Sequence, residues 1–165
     1  MTDRPHPLHG LHIAVTRPAG QAGALIERIR AAGGEAIALP LLEIAPPDRP
    51  LEAEALRQQL EHARTIIFIS PNAVRMALAI LPAGQWPRDA TLATVGKGTA
   101  RALREAGFEK IVVPDAGADS EALLARPEIR VVRDQDVLIV RGEGGRALLA
   151  QTLEARGARV QHAIV

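Results

Sequence analysis

The feature that most narrows the fold of this chain is a repeated alternation of short apolar runs with helix-starting residues and glycine-closed amphipathic segments. His12–Thr16, Ala36–Leu39, Thr65–Ile69, Leu92–Val95, Lys110–Val113, Asp136–Val140 and Arg159–Ile164 read as strands. The segments between them carry apolar residues at helical spacing. Gly33, Gly107 and Gly157 each stand between such a segment and the next strand, where a helix C-terminus needs a left-handed backbone. Short apolar strands separated by helices must pair in parallel through crossovers, and the crossovers place helices on both faces of the sheet. The expected class is therefore α/β, with a flavodoxin-like parallel sheet.

Punctuation divides the pattern. One βαβ unit comprises the first strand, a helix over Gln21–Ala32 and the second strand. Pro40 and the run Ala45-Pro-Pro-Asp-Arg-Pro50 then interrupt it, and a stretch this rich in proline cannot pair as a central strand. The boundary is expected near Leu42, with residues 1–41 in one unit and 42–165 in a second. The second unit should hold five strands, a leading helix over Leu51–His62, and helices over Asn72–Leu81, Gly98–Ala106, Ser120–Ala125 and Gly145–Arg156.

In open α/β sheets ligands bind beyond the carboxyl ends of the strands, so the junctions there carry the functional signal. Ser70 and Asn72 flank Pro71 at the end of an Ile/Phe strand, and both residue types also serve as plain helix caps. Val95-Gly96-Lys97-Gly98-Thr99 leaves another strand with two glycines and a hydroxyl, without the order and spacing of a Walker loop. Arg141-Gly-Glu-Gly-Gly-Arg146 pairs two guanidinium groups with three glycines and is the best anion site in the chain. It lacks the third glycine and the acidic residue of a dinucleotide fingerprint. Arg17, followed by Pro18 and Gln21, ends the first strand; it could hold a carboxylate or be a solvated loop residue.

Composition excludes more than it selects. A formal net charge of +1 argues against general nucleic-acid binding, and 2% aromatic residues against base-stacking platforms. The cations are nearly all arginine, which suits a polycarboxylate ligand through bidentate bonding or simply reflects a GC-rich genome. Absence of cysteine removes disulfides and thiolate chemistry and suits a reducing cytoplasm. No apolar run approaches the roughly 20 residues that span a bilayer. The histidines at 6, 9, 12, 62 and 162 show no metal-ligand spacing. An enzyme built this way works by shaping and hydrogen-bonding a substrate that is already reactive.

Taken together, the segments VTRP with Gln21, LPLLEI, IIFISPNAV, ATVGKGTARALREAG, DSEALL and VLIVRGEGGRALLAQTLEARGARV resemble the uroporphyrinogen-III synthase family in order and spacing. The resemblance runs from about His12 to Val165. It implies two α/β domains with the active site between them, the first discontinuous, so that residues 1–41 open that domain and its returning half is missing. The family pattern continues past Val160 with a tyrosine, and this chain contains none and stops at Val165, so it reads as a truncated form. Ile69 stands where many members carry threonine.

The implied reaction is cofactor-free cyclisation of hydroxymethylbilane to uroporphyrinogen III, with loss of water and inversion of the last ring. By resemblance, Thr99 assists departure of hydroxide, and Ser70 and Asn72 touch substrate. Arg17, Gln21, Arg141 and Arg146, with the N–H groups near Gly96 and Gly142, bind the substrate and its carboxylates. The implied partners are the linear tetrapyrrole and the preceding pathway enzyme. The whole protein is expected to be a cytoplasmic monomer, and a fragment with an unpaired βαβ unit is expected to swap or dimerise. The competing expectation is a non-catalytic ligand- or partner-binding α/β module.

Overall fold

A computed structural model describes residues 6–145 and 147–165. The chain forms two compact units, Met1–Ala45 and Pro46–Val165.

In the first unit, strands β1 (His12–Val15) and β2 (Glu35–Ala38) pair in parallel, joined by helix α1 (Ala19–Ala31). Val15, Ala22 and Ile29 form a small core, with Leu8, Ile13, Leu25, Ile26 and Ala36 packed around it. One helix on two strands covers a single face, so the remaining apolar residues face outward. Ile37 is 48% exposed and Leu39 51%, and Leu11, Leu41, Leu42 and Ile44 are likewise open.

The second unit contains helix α2 (Ala53–His62), strand β3 (Thr65–Phe68), helix α3 (Pro71–Ile80), strand β4 (Thr91–Thr94), helix α4 (Lys97–Glu105) and strand β5 (Ile111–Val112). Helices α5 (Ser120–Leu124) and α6 (Pro127–Arg130), strand β6 (Asp136–Arg141), helix α7 (Leu148–Ala155) and strand β7 (Arg159–Ile164) complete it. The strands form one parallel sheet in the order β5-β4-β3-β6-β7. Side chains alternate across it, as a period of two demands. Ile66, Phe68, Leu138 and Val140 enter a core with α2, α3 and α4, while Ile67, Val137 and Ile139 enter another with α5, α6 and α7. Trp86 closes the first core. Its ring lies 5.3 Å from Phe68 and 6.4 Å from Phe108, and its indole N–H donates to the Leu81 carbonyl at 2.8 Å.

The parallel sheet covered on both faces is the expected architecture, and the strand order refines it. Numbered within the unit, the order is 3-2-1-4-5, so the chain reverses direction after its third strand. The flavodoxin order, 2-1-3-4-5, reverses after the second. Alternation along the chain is identical in both, so only the folded topology separates them. The reversal places the switch point between β3 and β6, the crevice where such sheets bind ligands.

Gly33, Gly107 and Gly157 have φ of +86°, +92° and +88°, the left-handed helix stops expected of them. Helix α7 departs from expectation: it starts at Leu148 rather than Gly145, because Gly144 and Gly145 have φ of +69° and +98° and cannot join a right-handed helix. Helix α3 begins one residue early, with Pro71 in the first turn where a missing N–H costs nothing. The short α6, which starts on Pro127, and a 3₁₀ turn at Ala83–Gln85, which follows Pro82, were not expected; each is too brief to show periodicity.

Candidate functional site

The carboxyl ends of β3, β4, β6 and β7 meet in a cavity of about 370 Å³ within the second unit. Ile69, Val95, Ile139 and Leu149 supply apolar walls, and Arg141, His162, Asp119 and Glu143 supply charge or polarity.

Each junction can be followed from its strand. Beyond β3, Ser70 caps α3: its extended backbone turns the hydroxyl oxygen to accept from the Ala73 N–H at 3.1 Å. The hydroxyl proton is left for a different acceptor. Asn72, in the first turn, accepts from the Arg75 guanidinium through its Oδ1. Beyond β4, Gly96 caps α4, and its N–H reaches the hydroxyl of buried Thr94 at 3.4 Å, a weak bond. A Cβ on Gly96 would meet Ala118 at 3.6 Å and one on Gly98 would meet Pro71 at 3.9 Å, so the starts of α3 and α4 are neighbours and Gly96 borders the cavity wall. Thr99 is only 3% exposed, with its N–H bonded to the Gly96 carbonyl at 3.1 Å.

Beyond β6, Arg141 and Gly142 line the cavity directly. The Arg141 Nε donates to the Gly142 carbonyl at 3.2 Å. Its Nη2 lies 3.1 Å from where a Cβ on Gly145 would stand, so the absence of that side chain and the left-handed loop together seat the guanidinium. Arg146 lies outside the described residues. Arg17 and Gln21 lie in the first unit, both exposed, at the end of β1 and the start of α1.

His162, like Asp119, is a cavity residue that sequence reasoning passed over. It lies on β7 opposite Ile139, in a strand where Arg159 and Gln161 are also polar, so nothing local singles it out. The available signal was its place on the same strand face as Val160, which packs into the core. The residue is exposed overall, but partial desolvation, and then the charge of Arg141, hold its imidazole below the ordinary histidine range, with Glu154 opposing. The arrangement can therefore bind a ligand that is apolar in body and acidic at one edge.

Comparison with known proteins places this geometry in context. The family model described as "Uroporphyrinogen-III synthase HemD" matches residues 23–165. The chain is 34% identical over 152 residues to the uroporphyrinogen-III synthase of Escherichia coli strain K12, covering 91% of this chain and 62% of that relative. It is 34% identical to the enzyme of the same name from Proteus mirabilis, covering 91% of this chain and 76% of the other. The chain thus spans less than two thirds of the Escherichia coli relative's length. Among solved structures, a mutant uroporphyrinogen III synthase from the extremely thermophilic bacterium Thermus thermophilus superimposes with a TM-score of 0.64 at 17% identity, covering 94% of this chain and 61% of that one. That likeness concerns the fold.

Proposed function

The chain belongs to the uroporphyrinogen-III synthase family, and from that premise we propose that it serves the cyclisation of hydroxymethylbilane to uroporphyrinogen III in tetrapyrrole biosynthesis. The observation that carries the reading is the family match across residues 23–165, which includes every strand end around the crest cavity.

In this reading hydroxide leaves the terminal hydroxymethyl group to give an azafulvene. A spiro intermediate then forms, reopens and closes with the last ring inverted, and the net loss is one water. Because the substrate cyclises unaided to the other isomer, the protein's task is to favour one closure by holding the chain folded. The cavity supports that division of labour through the Arg141 guanidinium and Gly142 beside apolar walls, while Ser70, Asn72, Gly96 and Thr99 lie outside its lining. Ser70 and Asn72 are assigned to substrate contact. Arg17, Gln21, Arg141 and Arg146 are assigned to substrate and carboxylate binding, with the N–H groups near Gly96 and Gly142. Thr99 is assigned a hydrogen bond to the departing hydroxide; it is 3% exposed and does not line the cavity.

The reading needs no cofactor, and it places the protein in the cytoplasm with the preceding pathway enzyme as a partner. No helix among the described residues is long and apolar enough to cross a membrane. Residues 1–41 are assigned as the opening part of a larger first domain, supported by the open apolar face of β2 and the residues after it, which further strands or a second copy would cover. The same exposed face, with Thr99 buried, supports the second reading, in which the 165-residue chain binds without turnover.

Supplying hydroxymethylbilane and measuring the ratio of type III to type I product tests the first reading. Excess type III is expected, and type I alone would overturn activity of this chain as it stands. In a longer version, Thr99→Ala is expected to reduce type III formation by about 100-fold, the scale of one transition-state hydrogen bond; an unchanged rate removes Thr99 from the chemistry.

A further inference from the structure

The polar groups of the crest cavity are of both signs. Arg141 and His162 stand over β6 and β7, whereas Asp119, next to the Ala118 that abuts Gly96, lies toward β4, and Glu143 sits in the loop. A phosphate or sulfate has no apolar body to set against Ile69, Val95, Ile139 and Leu149. A wholly apolar ligand would strip water from the Arg141 guanidinium and supply no acceptor beyond the Gly142 carbonyl it already has. The complement is a flat apolar ring with an acidic arm on one side and an N–H donor on the other. Asp119 accepts from the Ala122 N–H at 2.8 Å, and a carboxylate has about four acceptor sites, so capacity remains for a ring N–H. At about 370 Å³ the cavity is near the small end of ligand sites, which run from about 300 to 1,000 Å³. That volume holds one ring of a larger ligand.

We propose that this cavity is a single-pyrrole subsite, in which Arg141 and His162 together take the carboxylate arm of one ring and His162 is a specificity-determining residue. The inference rests on the tetrapyrrole reading above and deepens it.

A second consequence follows from the groups that face the imidazole: Arg141 on β6, Glu154 on α7, and Glu143 and Asp119 around the same cavity. His162 is exposed overall, yet in the free protein partial desolvation, and then Arg141, disfavour the imidazolium. A bound carboxylate offsets the Arg141 charge and adds an acceptor, so the imidazole takes up a proton as the arm docks. Binding then tightens as pH falls through the histidine range.

The test is to titrate the protein with a monopyrrole bearing one acetate and one propionate arm, following the imidazole NMR signals assigned through His162→Gln. A saturable shift of those signals is expected, with affinity several-fold higher at about pH 6 than at about pH 8. Arg141→Gln and His162→Gln should each weaken binding about tenfold, and the latter should abolish the pH dependence. Inorganic phosphate should leave the signals unmoved. Equal perturbation by phosphate, or monopyrrole binding that ignores His162→Gln, would overturn the subsite. The outcome is separable from the proposed function. His162-dependent binding with only type I product would sink the activity and leave the subsite; type III product with His162-independent binding would do the reverse.

Discussion

Ile37 and Ile67 occupy the same place in their units, the third residue of a four-residue parallel strand beside a helix. Ile37 is 48% exposed and Ile67 is fully buried. Their chemistry and strand geometry match, so the difference lies in their neighbours. Ile67 pairs with Ala93 on one side and Ile139 on the other, under the layer of α5, α6 and α7. Among the described residues, Ile37 pairs with Ala14 alone. Local pattern creates a strand, and the number of layers around it decides how much hydrophobic free energy that strand contributes.

The comparison breaks most easily on paired truncations. Ile67→Ala is expected to cost the second unit about 2–5 kcal/mol, through lost burial and the cavity left behind. Ile37→Ala should move the first unit by no more than about 0.5 kcal/mol, as at an exposed site. Amide hydrogen exchange in β3 and β2 reads the two effects separately, and equal losses would end the distinction.

Helix starts sharpen it further. Ser70→Ala removes the oxygen that accepts from Ala73 and should cost about 1 kcal/mol. Helix α1 starts after Pro18 with no side-chain cap bond, so Pro18→Ser should instead stabilise the first unit by up to about 1 kcal/mol. A loss on both substitutions would mean that the two helix starts are held in the same way.

The smallest expected effect concerns pairs at the first register position of each unit. Asp136 and Arg159 are bidentate, with both contacts at 2.7 Å, whereas His12 and Glu35 meet at 3.2 Å with both side chains about two thirds exposed. The hydrogen bonds from Arg159, and then its charge, hold Asp136 below the usual carboxylate range despite partial burial. A carboxylate that binds its proton more weakly folded than unfolded contributes stability above its unfolded value of about 3.9, and loses it as pH falls through the native one. Asp136→Asn should flatten that part of the acid-unfolding curve slightly. An unchanged curve would show that this pair contributes as little as a fully solvated one.

The elements were legible because apolar runs and glycine stops are local. Ser70, Gly33 and Gly157 announce themselves by residue type, and the structure uses each as its type suggests. The strand order was not legible, since identical alternation serves both orders of reversal. Nor was the cavity, where Ile69, Asp119, Arg141 and His162 come from four separate segments joined only when the sheet forms. The glycines at 144 and 145 misled for an opposite reason: they sit where a helix is due, and their backbone geometry delays it to Leu148.

Trp86 has an optical consequence. The chain has one tryptophan and no tyrosine, and that indole is sealed between Phe68 and Phe108 in the larger unit. Ultraviolet emission from this protein is thus a spectrum of residues 46–165 alone, and the first unit is dark. A melting curve recorded by fluorescence would show one transition even if residues 1–45 had already lost their structure, which only a backbone signal such as circular dichroism would register.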